Sequence, residues 1–295
     1  MNKVYLLLKN IKYLCTHNVR EEILNSQYDT LLSVEDYCNY EADENYIPLS
    51  ERLKIFDYSQ TINILLNDPK SFCRFGDGEI ELICGNSIPF QTYNEKLASI
   101  LLNILKDDVT DLYVGINYNY FHSTKILNDY NRKFYMLNIR KYRNFLLENC
   151  TRNRDYIAAG FNQLYVISDS YDYEKYYAQL KSMFKGKELV LFIGKGVLTN
   201  IKYDIFDECK SKTIIEGPSK NAFSQYDSIL KKAKSFSKEK TLCFILGPTS
   251  KALVYTLAKE GYMAWDIGHL AKDYDMYKKN IQKNPTTIND FFQPD

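Results

Sequence analysis

The chain has 295 residues, 45% hydrophobic and 25% charged, proportions that exclude wholesale disorder and fibrous repeats. Thirty-eight Lys and Arg against 37 Asp and Glu give a net charge of +1. That balance supplies no broad positive field, so no nucleic-acid partner is expected.

Residues 1–48 read as an N-terminal extension of helical pieces joined by an acidic, polar segment, Glu35 to Asn45, and ending at Pro48. Val4, Leu7, Leu8, Ile11 and Leu14 recur at helical spacing with Lys3, Lys9 and Lys12 between them. Such a helix suits either a membrane surface or the protein's own core, and docking on the core is the expected outcome. The apolar run before Lys9 is shorter than the roughly seven to fifteen residues of a secretion signal. No stretch reaches the roughly 18 apolar residues of a spanning helix. Seven scattered cysteines, odd in number and without a C-x-x-C pair, argue against zinc ribbons and disulfide frameworks. A reducing cytoplasm is the expected location, with peripheral association at the inner face of the membrane as a variant of it.

From Ser50 the periodicity strengthens into the expected main domain, 49–295. Leu53, Phe56, Ile62, Leu65 and Leu66 predict a helix or broken helix stopping before Asp68-Pro69. Ser71–Arg74 reads as a short strand, and Leu97, Ile100, Leu101, Ile104 and Leu105 as an amphipathic helix. Strands follow at 112–116, 189–194, 213–218 and 242–248, the third with a helix behind it through Tyr226, Ile229, Leu230 and Ala233. Leu253, Val254, Leu257 and Ala258 mark another helix, closed by Gly261. Short continuous apolar strands alternating with amphipathic helices predict an α/β fold, a mainly parallel sheet covered on both faces.

In such sheets ligands bind outside the carboxyl ends of the strands, which selects the loops 74–79, 194–200 and 247–250. Gly194-Lys195-Gly196 begins like a dinucleotide fingerprint, but Thr199 stands where its third glycine belongs, and no P-loop is present. Arg74-Phe75-Gly76-Asp77-Gly78-Glu79 is chemically richer. Its two carboxylates can face one hard cation, and its arginine matches phosphate geometry, although Asp-Gly is also a common turn and Glu79 a favourable helix start. In Leu246-Gly247-Pro248-Thr249-Ser250, Thr249 or Ser250 is expected to cap the next helix, whose free N–H groups either receive a phosphate or are simply capped. Trp265-Asp266-Ile267-Gly268-His269 reads as a strand with its terminal loop, making His269 and Asp266 candidates beside each other. The 26 Tyr and 16 Phe beside a single Trp suit sugar stacking, but also plain compositional bias, the simpler reading.

Five segments occur together in order: Arg74–Glu79, Pro89-Phe90-Gln91, Gly217-Pro218-Ser219-Lys220-Asn221-Ala222-Phe223, Gly247-Pro248-Thr249 and Asp266-Ile267-Gly268-His269. In them the chain resembles the bacterial GT-D-type glycosyltransferase family, over about residues 50–278. The usual Ala of that family's G-P-T-A turn is Ser250 here. The resemblance implies a Rossmann-like GT-D fold, a D-x-E motif serving a divalent metal (Mn²⁺ or Mg²⁺) through Asp77 and Glu79, and a nucleotide-sugar donor, with a UDP-sugar preferred. Donor contacts are expected from Arg74, Phe75, Gly76, Lys220, Asn221, Gly247, Pro248, Thr249 and His269. Asp77, Glu79 and Asp266 are the catalytic candidates, Asp266 as base or as support of its own turn. The acceptor is expected to be a lipid-linked or protein-linked glycan of a cell-surface polysaccharide or glycoprotein. A nucleotide-sugar hydrolase and a non-catalytic nucleotide-sugar-binding partner of another transferase are the competing readings.

Overall fold

Seven parallel strands in the order β3-β2-β1-β7-β6-β4-β5 make one sheet in the computed structural model, which describes residues 3–42, 46–48 and 51–293. The strands are β1 (Ser71–Arg74), β2 (Leu112–Ile116), β3 (Ile157–Ala158), β4 (Glu188–Gly194), β5 (Ser211–Gly217), β6 (Thr241–Ile245) and β7 (Met263–Asp266). Phe72 of β1 lies opposite Tyr113 of β2 and Trp265 of β7, so the first strand of the sheet is hydrogen-bonded to the last. The expected parallel α/β architecture is thus present. Continuous burial along β1, β4 and β6 explains why they read as unbroken apolar runs, whereas β5 is an edge strand and largely exposed.

Twelve helices among the described residues surround and extend this sheet. Two precede the domain, α1 (Lys3–Thr16) and α2 (Val19–Ala42). Helix α3 (Tyr58–Asn67) leads into β1, and between the strands run α4 (Asp77–Ile83), α5 (Glu95–Lys106), α6 (Asp129–Asn149), α7 (Leu164–Ile167), α8 (Tyr173–Ser182), α9 (Tyr226–Lys234) and α10 (Thr249–Lys259). The chain ends in α11 (Leu270–Lys278) and α12 (Pro285–Phe291). Asp57 caps α3 by accepting from Gln60 N at 2.7 Å, which places the helix start later than the apolar spacing from Leu53 predicts. Gly261 closes α10 with φ +77°, as expected. Leu97, Leu101, Ile104 and Leu105 of α5 are fully buried. Each such side chain contributes about 1.5–3 kcal/mol by leaving water.

Two expectations for the extension are corrected. The acidic stretch from Glu35 is helical up to Ala42, because Asp36 is neutralised by Arg140 at 3.3 Å and Arg143 at 3.1 Å, both on α6, along which α2 packs. Asp43–Asn45, and Leu49 and Ser50 at the expected domain boundary, lie outside the described residues. Helix α1 is not docked on the core: Val4, Leu7, Leu8 and Leu14 are each about 60% exposed and Ile11 is 47% exposed.

Candidate active site

The loops leaving β1, β7 and β6, three neighbouring strands, bring together charges that are far apart in sequence. Arg74, the last residue of β1, is buried and donates through every arm of its guanidinium. Nε reaches the carbonyl of Asp266 at 2.9 Å, Nη1 the side chain of Asn162 at 2.6 Å and the carbonyl of Ala159 at 3.1 Å, and Nη2 the Asp266 carboxylate at 3.4 Å. Asp266 also accepts from the backbone N of Arg74 at 3.1 Å and from Lys251 Nζ at 3.1 Å. Lys251 in turn reaches Glu79 Oε1 at 3.0 Å, and Glu79 Oε2 accepts from the backbone N of Gly76 at 2.9 Å. Glu79 therefore does support the start of α4, its carboxylate accepting from the N–H of the N-cap glycine, while its other oxygen joins the charge network.

Asp77 differs from its neighbours. It is exposed at the first position of α4, and partial loss of water, then the charge of Glu79, hold its carboxyl above the usual carboxylate range. Asp77, Glu79 and Asp266 against Arg74 and Lys251 leave one formal negative charge in the cluster. A hard cation against Asp77 would offset both the lost hydration and the Glu79 charge that raise its pKa, so this donor set fits a divalent metal. Among the described residues no three His, Cys, Asp or Glu side chains form a closed metal cage. Two carboxylates with remaining positions left to water and phosphate oxygens is a usual Mg²⁺ arrangement.

A second layer of the site is built around Phe90. Ile88 and Gln91 bridge to make a tight turn, and the Phe90 carbonyl accepts from Asn221 N at 2.9 Å. The Asn221 side chain accepts from Thr92 N at 2.7 Å, while Asn221 itself takes a left-handed φ of 53°. Gln91, buried, contacts Phe223 N at 3.4 Å. A Cβ placed on Gly247 would meet Phe90 at 3.6 Å, and the Phe90 ring lies 6.1 Å from His269. Four of the five resembling segments thus meet at one turn, and Arg74–Glu79 adjoins them through Lys251 and Asp266. His269 also packs on Phe291 at 5.0 Å and Phe292 at 6.2 Å. Burial, reinforced by Arg74, Lys272 and Lys251, lowers its pKa to about 3, so the imidazole is neutral at physiological pH and a weak base there.

Several expected roles change on this geometry. Arg74 is committed to protein acceptors, which makes it an anchor of the β1, β7 and 159–162 backbones and not an open phosphate clamp. Asp266 is 1% exposed and saturated by two cations, a positioning carboxylate and not a base facing an acceptor. Phe75 belongs to the hydrophobic core, leaving only its backbone at the loop. Neither Thr249 nor Ser250 caps α10: Ser250 Oγ accepts from Leu246 N at 2.9 Å, and the buried Thr249 hydroxyl has no hydrogen-bond partner among the described residues. Gly247, Pro248 and the α10 N-terminus remain beside the cluster, whereas Lys220 is exposed on the loop after β5. Sequence reasoning missed Lys251 and Asn162. Lys251 was detectable, since it falls on the apolar face that also carries Val254 and Ala258, where a lysine needs a buried partner.

The arrangement defines an α/β protein whose candidate ligand site lies at the carboxyl edge of a parallel sheet, walled by an acidic turn and a helix N-terminus. The sequence model of the glycosyltransferase GT-D fold family matches residues 72–290, and the chain belongs to that family. A probable glycosyl transferase, Gly, of Streptococcus gordonii is 28% identical over 78% of this chain and 34% of its own length. Glycosyltransferase GlyD of Streptococcus pneumoniae serotype 4 is 27% identical over 77% of this chain and 28% of its own length. The chain spans about a third of the length of these curated relatives. A solved structure described as the domain of unknown function 1792 with a distinct glycosyltransferase fold is 30% identical, with a TM-score of 0.73 over 83% of this chain and 92% of its own. Another, described as a new glycosyltransferase from Streptococcus sanguinis, is 25% identical with a TM-score of 0.74 over 83% and 95%.

Proposed function

We propose that the chain transfers a sugar from a nucleoside-diphosphate sugar, a UDP-sugar by preference, to a hydroxyl of a glycan acceptor, in cell-surface polysaccharide or glycoprotein glycan synthesis. The observation that carries this reading is the junction of the family's segments around the Arg74–Asp266–Lys251–Glu79 network, with Asp77 open beside it. Asp77 and Glu79 are the residues that would hold Mn²⁺ or Mg²⁺, whose chemistry there is charge stabilisation of the diphosphate. The uncapped N-terminus of α10 and the 247–249 backbone are assigned to the same phosphates. Arg74 and Lys251 hold Asp266 and Glu79 in place, so the acidic turn keeps its shape when the ligand's charge arrives.

Turnover of a panel of UDP- and GDP-sugars, with and without EDTA, tests the assignment. Asp77→Asn is expected to lose at least 100-fold in transfer while remaining folded, because its side chain is exposed, and Glu79→Gln to lose activity together with stability. Unchanged transfer by Asp77→Asn in Mn²⁺ would remove the metal assignment. Donor cleavage indifferent to any added acceptor would favour a hydrolase.

We also propose that α1 rests on an anionic membrane surface. Its exposed Val4, Leu7, Leu8, Ile11 and Leu14 are accompanied by exposed Lys9 and Lys12 and by no acidic residue. No described helix is long and apolar enough to cross a membrane. The full chain is expected to sediment with vesicles containing phosphatidylglycerol and less with phosphatidylcholine alone, and Leu7→Glu with Leu8→Glu to abolish the difference. Equal sedimentation of the variant would refute the contact.

A further inference from the structure

A pocket of about 420 Å³ lies between α2, the start of α3 and the loop after β2. Four tyrosines, Tyr40, Tyr58, Tyr118 and Tyr171, line it together with His122. Its size falls within the range of small-molecule sites. Tyr118 stacks on His122 at 4.1 Å and 11°, and both rings are half-buried, as is Tyr171. The buried Tyr58 donates its hydroxyl to Asn119 at 2.7 Å. Arg52, Asp57, Ser123 and Lys125 supply a polar rim.

We propose that this pocket is a carbohydrate subsite on the acceptor side of the strand-end site; in naming it so, the inference rests on the transferase reading. A pyranose presents an apolar C–H face and a hydroxyl edge, and amphipathic tyrosine rings within a polar rim match both. A phosphate fits less well, because the N-terminus of α3 is already capped by the Asp57 carboxylate. Position supports an acceptor role. The Tyr58 ring comes within 3.3 Å of where a Cβ of Gly160 would stand, two residues from Asn162, which holds Arg74. The pocket is also held in shape from the extension: Glu41 of α2 accepts from Thr124 N at 2.7 Å, and the Tyr37 hydroxyl meets the Thr124 hydroxyl at 3.1 Å. Helix α2 thereby fixes the loop that carries Tyr118 and His122, and contributes Tyr40 to the wall.

Saturation-transfer NMR on the full chain with maltose, lactose and chitobiose, alongside UDP binding by calorimetry, tests the subsite. At least one disaccharide is expected to bind, and Tyr118→Ala and Tyr171→Ala to weaken it about tenfold while UDP affinity stays within twofold. Circular dichroism and the unchanged UDP affinity report an intact fold. In transfer assays the same variants should raise KM for the acceptor and leave donor KM unaltered. Binding of none of the three sugars, or binding indifferent to both substitutions, overturns the subsite. Disaccharide binding lost in the variants, in a protein that turns over no nucleotide sugar, supports the carbohydrate site and removes the transferase reading instead.

Discussion

Replacing Lys251 with methionine is expected to lower the stability of the chain by about 3–5 kcal/mol and to abolish transfer, more than a loss of side-chain packing accounts for. Lys251 is 5% exposed and bridges Glu79 to Asp266, at 3.0 and 3.1 Å. Burial alone would lower its pKa, but Asp266 and then Glu79 outweigh that and raise it, so it is a charged lysine. Methionine matches its length and removes the charge, stranding two buried carboxylates with Arg74 as the remaining nearby cation. A second substitution separates this cause from a packing defect. In a Glu79→Gln background one of the two carboxylates is already replaced by a neutral amide, so Lys251→Met should cost less than in the wild-type chain, whereas a packing defect is the same in both. Urea denaturation of the four proteins measures the difference. A deficit below about 1 kcal/mol, or one that Glu79→Gln leaves unchanged, would falsify the buried ion network as a source of stability.

What sequence could disclose followed from the range over which each signal acts. The strands β1, β2, β4 and β6 were legible because burial on both faces turns a strand into a continuous apolar run. Strand β3 was not, since Ile157–Ala158 is only two residues long and is defined by pairing with Gly115 and Ile116 of β2. The acidic stretch of α2 read as a linker because its countercharges, Arg140 and Arg143, lie about a hundred residues away. Asp77 and Glu79 share one short motif and were found together, whereas Asn162 sits in a single 3₁₀ turn, Ala159–Asn162, with no pattern of its own. The roles assigned to Arg74 and Asp266 shifted for the same reason. A motif names the residue, but the hydrogen bonds that use up its donors come from strands distant in the chain. The tyrosines taken as compositional are partly core and partly pocket wall, a division set entirely by tertiary packing.

Gly268→Ala, the removal of a single hydrogen in favour of a methyl group, is expected to be nearly as damaging as the loss of Lys251. Gly268 has φ +45°, and a Cβ there would stand 1.9 Å from Arg74 Nη2 and 2.9 Å from Asn162 Nδ2. A long side chain can ordinarily swing away from such a collision at little cost. Arg74 cannot, because its guanidinium is buried and tied to Asp266, Ala159 and Asn162, and moving it leaves their acceptors unpaired. The backbone strain alone amounts to about 1–2 kcal/mol. The displaced network adds about 2–3 kcal/mol more. Gly186→Ala is the control for strain, since it has φ +69° and nothing within 4 Å of the added Cβ. A double-mutant cycle isolates the collision: in an Arg74→Ser background, Gly268→Ala should lose most of its excess cost over Gly186→Ala, the remainder being the 2.9 Å approach to Asn162. If the two glycine substitutions are equally mild in the wild-type chain, the Arg74 network has room to yield and does not fix the turn between β7 and α11. If Gly268→Ala alone is severe, and Arg74→Ser relieves it, then that glycine is there so that an arginine can cross the backbone and hold three strand ends in register beside Asp77.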